Sequence, residues 1–124
     1  MARPARVSAA VPGMPDATRI AEMHAHAADA AQLMKALGNE QRLLILCNLL
    51  AKPLSVGELN DRVELSQSAL SQHLALLREA ALVETRRDAQ TIYYSLPPGP
   101  VTQVMAVLQD IYCGSRPVAM RRAR

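Results

Sequence analysis

Few side chains in this 124-residue chain could do chemistry. It has two cysteines, Cys47 and Cys113, far apart in sequence. A thiolate can be a nucleophile, a redox centre or a metal ligand. These two form no CxxC pair, no zinc spacing and no disulfide framework. His24 and His26 are two residues apart, so they diverge on a helix, and His73 lies beside Ala69 and Leu77. There is no phosphate loop and no Cys–His pairing at motif spacing, so no enzyme, cofactor or metal site is expected. What remains is a cluster of small and amide side chains, Gln67, Ser68, Ser71 and Gln72, followed by Arg86, Arg87 and Gln90. Such groups recognise rather than react. Glutamine pairs bidentately with adenine, serine donates or accepts at a base edge, and arginine meets phosphate or the minor groove.

The elements that position these residues follow from periodicity and caps. Ile20, Met23, Ala27, Ala30, Met34 and Leu37 recur at helical spacing, which predicts a first helix over 17–37 with Gly38 at its stop. Asn39 can cap a second helix over 40–51 that is apolar nearly all round and so belongs at the centre of a domain. Pro53 ends it. Ser55 and Glu58 are spaced as a capping box and open a short third helix over 56–62, in which Gly57 suggests close packing. A brief turn leads to Ser66, the expected cap of a fourth helix over 67–80. Two short helices joined this tightly read as a helix-turn-helix.

On the fourth helix, Leu70, Leu74, Leu77, Ala80 and Ala81 fall on one side at about 100° per residue. Gln67, Ser68, Ser71 and Gln72 face outward near its N-terminus, with Ala75 behind them and Arg78 flanking. That is the surface a helix entering the major groove needs. His73 falls on the core side and is expected to be half-buried and hydrogen-bonded. The period then changes. Leu82–Arg87 and Thr91–Leu96 are rich in Val, Thr, Ile and Tyr, which predicts a β-hairpin with Arg86, Arg87 and Gln90 at its tip. A last helix is expected over 101–113. The class is mainly α (α+β), a winged helix-turn-helix.

Composition bounds this reading. Half of the residues are hydrophobic, yet Phe and Trp are absent, so the core must be built from Leu, Val, Ala, Ile and Met. The net charge of +3 is carried by the ends, through Arg3 and Arg6 at one and Arg116, Arg121, Arg122 and Arg124 at the other. The body between holds more acidic than basic residues, so DNA binding must rest on local placement. Residues 1–16 read as a disordered arm, 17–115 as the domain and 116–124 as a basic tail. No apolar run is long enough for a membrane span, and the N-terminus lacks the apolar region of a secretory leader. A cytoplasmic location, with both thiols reduced, is the expectation.

The stretch LMKALGNEQRLLILCNLLAKPLSVGELNDRVELSQSALSQHLALLREAALVETRRDAQTIYYSL, about residues 33–96, resembles the ArsR/SmtB-like winged-helix repressor family. The segments LSQSALSQHLALLREAALV and RRDAQTIYYSL carry the resemblance most specifically. The family implies a homodimer through the first and last helices, bound to double-stranded operator DNA until an inducer arrives. Metal-sensing branches place Cys in the helix spelled here Ser55-Val56-Gly57-Glu58-Leu59, or Asp and His sets on the last helix. This chain has neither, only Asp110. A closer resemblance is to the sulfur- and redox-responsive BigR/SqrR/HlyU branch, which pairs a Cys in the second helix, as in LLILCNLL, with one ending the last, as in DIYCG. It implies that reactive sulfur (persulfide) or oxidants act through a Cys47–Cys113 disulfide or polysulfide bridge.

The residues themselves leave alternatives. Cys47 lies between Leu43 and Leu50 on an apolar face, where a structural cysteine is common. Cys113 falls off the stripe formed by Val101, Val104, Met105, Leu108, Ile111 and Tyr112, near Ala106 and Gln109, so it is exposed or faces another element. Three rival functions fit parts of the chain. One is a regulator that activates by displacing a silencer, the second a metal-responsive repressor, and the third a thiol-based sulfur carrier.

Overall fold

The computed structural model describes residues 17–113, so the arm at 1–16 and the tail at 116–124 lie outside the described residues. Five helices and three strands follow one another as α1 (Ala17–Leu37), α2 (Glu40–Ala51), β1 (Leu54–Ser55), α3 (Val56–Arg62), α4 (Gln67–Glu79), β2 (Glu84–Asp88), β3 (Thr91–Ser95) and α5 (Pro100–Tyr112). Up to Met34, α1 belongs to one compact unit, and the chain from Lys35 onward forms a second. No described helix is long and apolar enough to cross a membrane.

The helices begin where their capping residues stand. Asn39 Oδ1 accepts from Arg42 N–H at 3.0 Å and opens α2. At α3 both halves of the capping box form: Ser55 Oγ accepts from Glu58 N–H at 3.2 Å, and Glu58 Oε1 accepts from Ser55 N–H at 2.9 Å. Ser66 Oγ accepts from Ala69 N–H at 3.1 Å and opens α4. Each bond satisfies a backbone donor that the helix itself cannot. Pro100 opens α5 one residue earlier than its periodicity predicts, because the first helical position needs no N–H.

Other stops rest on hydrogen bonds from flanking residues. Arg42 Nε donates to the Ala36 carbonyl at 2.6 Å and Nη2 to that of Lys35 at 3.3 Å, closing the end of α1. Asn60 Nδ2 donates to the Leu65 carbonyl at 2.8 Å and holds the turn between α3 and α4. Helix α4 stops at Glu79, one residue short of the expected span. Ala81 takes φ 62°, and Leu82 N–H and Ala81 N–H bond the carbonyls of Leu77 and Arg78 at 2.9 and 3.0 Å. That is the left-handed stop usually supplied by glycine.

The sheet is antiparallel in the order β1-β3-β2. The hairpin strands occupy 84–88 and 91–95, and Ala89 provides the positive φ, 59°, that its two-residue turn requires. This moves Arg86 and Arg87 off the tip: they sit within β2, opposite Tyr93 and Ile92, and only Gln90 of the three lies in the turn. The strand β1 was not legible, since two residues have no period.

The core is aliphatic. Ile45, Leu46 and Leu49 of α2, Leu54, Leu59 of α3, the Leu70, Leu74 and Leu77 stripe of α4, and Val101 and Met105 of α5 are buried. No polar or charged residue is fully buried among the described residues. Helix α2 is less central than its composition suggests, because it packs on α3, β3 and α5 and buries only that side, leaving Leu44 exposed. Gly57 serves no close approach: a Cβ there would meet only Ser55 Oγ, at 3.9 Å. His73 is half-buried as expected, but no hydrogen bond to its ring is found among the described residues.

The capping box carries a pH signature. The Ser55 N–H that Glu58 accepts is the main cause holding its exposed carboxyl below the ordinary range, with Lys52 and Arg62 adding to it. A carboxyl depressed on folding stabilises fully above its unfolded pKa, and that contribution is lost as pH falls through the lower folded value. Glu58→Gln keeps an acceptor but cannot titrate. Urea midpoints measured through the acid range should fall more steeply for wild type than for Glu58→Gln. Identical acid limbs would show that the box does not titrate with folding.

Candidate nucleic-acid interface and thiol pair

The apolar stripe of α4 decides which of its residues face outward. With Leu70, Leu74 and Leu77 in the core, Gln67, Ser68, Ser71 and Gln72 are all exposed near the helix N-terminus. Ser68 Oγ lies 3.5 Å from Ser66 Oγ, so its hydroxyl also touches the cap. The outward surface continues towards the sheet. Ser71, Ala75, Arg78 and Glu79 line a shallow open depression whose other wall is Tyr94 of β3. Recognition helix and hairpin therefore share one side of the molecule.

Strand alternation separates the two hairpin arginines, because neighbours on a strand point to opposite faces. Arg87 pairs with Ile92 and stands on the face of Thr85 and Tyr94, the face that meets α4. Arg86 pairs with Tyr93 on the other face, where its guanidinium carbon lies 5.4 Å from the Tyr93 ring centroid. This cation–π contact steadies the exposed Arg86 against the ring and leaves its N–H donors free. Nothing in the sequence singles out Tyr94, and the helical wheel puts Arg78 only at the margin of the outward face. Their shared depression depends on a strand-to-helix distance that no spacing encodes.

The thiols are free. Cys47 is half-buried on α2, and Cys113 is exposed as the residue that closes α5. Helices α2 and α5 pack together. At their contact Gln109 Nε2 donates to Cys47 Sγ across 4.0 Å. Cys113 N–H donates to the Gln109 carbonyl at 2.8 Å, placing Cys113 one turn beyond the residue that touches Cys47. No group of three or more His, Cys, Asp or Glu able to hold a metal occurs among the described residues.

A helix-turn-helix whose second helix exposes a polar, small-residue face beside a β-hairpin defines a winged-helix DNA-binding transcriptional regulator. The model of the bacterial regulatory protein, arsR family, matches residues 39–85. The transcriptional activator HlyU of Vibrio cholerae is 54% identical over 92 residues, which span 74% of this chain and 85% of that protein. The structure of reduced HlyU from Vibrio cholerae superposes with a TM-score of 0.70, at 54% identity, covering 74% of this chain and 97% of that one. The transcriptional repressor BigR of Xylella fastidiosa superposes with a TM-score of 0.71 at 37% identity, over 76% of this chain and 96% of that one. The chain belongs to the arsR family, in the branch that holds HlyU and BigR.

Two outcomes test the interface. If Gln72 reads a base edge, Gln72→Ala should weaken binding to the specific site by about 1–3 kcal/mol and leave random-sequence binding nearly unchanged, measured by fluorescence anisotropy on both duplexes. Equal losses on both would make Gln72 a backbone contact. Arg87→Ala should weaken binding to all sequences and reduce the magnitude of the salt slope by about one. An unaltered slope would take Arg87 off the phosphates.

Proposed function

We propose that this chain is a homodimeric, sequence-specific transcriptional repressor that leaves its operator when reactive sulfur or an oxidant links Cys47 to Cys113. The observation that carries this reading is the α2–α5 contact at Gln109, which gathers two sequence-distant thiols onto one helix pair. Cys113 is the more accessible thiol and is the one attacked first; half-buried Cys47 closes the bridge. With a persulfide R–S–SH, the Cys113 thiolate takes the terminal sulfur and expels RS⁻. The Cys47 thiolate then attacks the inner sulfur of the Cys113 persulfide and expels HS⁻, leaving a disulfide. If Cys47 instead carries a mixed disulfide, attack by the Cys113 persulfide expels RS⁻ and leaves a three-sulfur bridge. Peroxide reaches the disulfide through a sulfenic acid, with loss of hydroxide and then water.

On DNA, Gln67, Ser68, Ser71 and Gln72 read bases, while Arg87, Gln90 and the Arg78–Tyr94 depression meet the backbone. Arg86 contributes through its hold on Tyr93. The exposed apolar side chains Val107, Ile111 and Tyr112 on α5, and Ile20, Met23 and Met34 on α1, support self-association. The two recognition helices would then enter successive major grooves about 34 Å apart. The bridge tethers α2 to the end of α5 and so biases the spacing of the DNA-reading heads. A second reading has one specific support: HlyU, 54% identical, is named an activator. In that reading the same DNA-binding head raises transcription by displacing a silencer.

Cys47→Ser and Cys113→Ser should each bind operator DNA as reduced wild type does, and neither should release it after persulfide treatment. Release by either single variant, followed by gel shift with intact-mass analysis of the same samples, would remove the paired-thiol mechanism and leave DNA binding intact.

A further inference from the structure

Gln109 makes a hydrogen bond to each of the two cysteines. Its backbone carbonyl accepts from the Cys113 N–H at 2.8 Å, and its side-chain amide donates to Cys47 Sγ across 4.0 Å. It is exposed and belongs to no part of the DNA-reading surface. We propose that Gln109 is a positioning residue of the thiol pair, a clasp that stabilises the reduced form and must open before the bridge can close. The proposal rests on the reading of Cys47 and Cys113 as a single switch.

The geometry of a disulfide requires the opening. Its sulfurs stand about 2.05 Å apart, with the two Cα atoms about 4.4–6.8 Å apart. A Cys113 sulfur bonded to Cys47 Sγ would compete with the Gln109 amide for the space beside that sulfur. Cys113 is also placed to move. It ends α5 with φ −122° and ψ −84°, outside helical geometry, and its N–H bond to Gln109 is the one that ties it to the helix. Turning Cys113 towards α2 therefore disturbs the last turn of α5 and leaves the packed stretch from Val101 to Met105 in place. The side-chain contact exists only while the thiols are reduced, so it displaces the thiol–disulfide equilibrium towards the reduced protein.

The redox partner in the test is glutathione disulfide. The Cys113 thiolate attacks it and expels one glutathione thiolate. The Cys47 thiolate then attacks the Cys113 sulfur of the mixed disulfide and expels the second. The protein loses two electrons, and the small disulfide gains them. Full-length wild type, Gln109→Ala and Gln109→Leu are equilibrated across a series of glutathione ratios, trapped by alkylation, and scored for the intrachain bridge by peptide mass. Thermal midpoints of the reduced proteins accompany the series. Both variants should raise the equilibrium constant for bridging by about two- to ten-fold, the worth of one hydrogen bond, with a small fall in the reduced proteins' midpoints that is the same for both variants. Leucine retains most of the bulk of glutamine without the donor. An unchanged constant in both variants, or a shift with alanine alone, overturns the hydrogen-bonded clasp. A wild type that bridges at no ratio overturns the switch itself and the clasp with it, so the two failures are told apart by the wild-type curve.

Discussion

The wing is joined to the helix-turn-helix through two residue pairs, Leu54 with Tyr94 and Ser55 with Tyr93. Ser55 does two things at this joint. It stands opposite Tyr93 in the sheet, and its hydroxyl and N–H form both halves of the box that starts α3. One residue thus sets where the hairpin lies and where the first helix of the motif begins. Leu54, fully buried, fastens the same joint to the core. A hairpin alone is marginally stable in water, and this third strand gives it a support that its own turn, built on a left-handed alanine, does not.

From that joint the reading surface follows. The Leu70, Leu74 and Leu77 stripe seats α4, and Asn60 holds the turn before it through the Leu65 carbonyl. The rotation of α4 about its axis is then decided by leucine burial, and the polar side chains have no freedom to face elsewhere. The wing approaches the C-terminal half of this helix, where Tyr94 meets Ser71, Ala75, Arg78 and Glu79. Glu79 puts an anion among them, so the depression is less cationic than its arginine suggests. Six of the fourteen basic residues, Arg3, Arg6, Arg116, Arg121, Arg122 and Arg124, fall outside the described residues. The described body supplies shape and hydrogen bonding.

The thiol pair sits at a different junction, between α2 and α5. Helix α2 carries Cys47 and also begins with Arg42, whose guanidinium closes the end of α1. A displacement of α2 is therefore felt at its N-terminus by the end of α1 and on its flank by α5. The side-chain ties at this junction are hydrogen bonds from Arg42 and Gln109. Such ties are worth on the order of 1 kcal/mol each, the scale at which one covalent link can shift a population.

The amino-acid sequence by itself determined most of the elements and the outward facing of Gln67, Ser68, Ser71 and Gln72. Asn39, Ser55 and Ser66 cap the helices they were expected to cap, and the leucine spacing of α4 sorts its inside from its outside. Those properties are local: a cap bonds three residues ahead, and a helical stripe repeats within one element. Tertiary structure decided what depends on contacts between elements. It made a strand of Leu54 and Ser55, because a two-residue strand exists only through its partner. It gave Ala81 and Ala89 backbone angles that their side chains disfavour, because the hydrogen bonds after α4 and the strand register on either side of the hairpin turn fix them. It put Arg86 and Arg87 on opposite faces, a consequence of the pairing register. It also placed Gln109 between the two cysteines, because whether an amide reaches a sulfur sixty-two positions away is a matter of how α2 and α5 pack, and no periodicity within either helix records that.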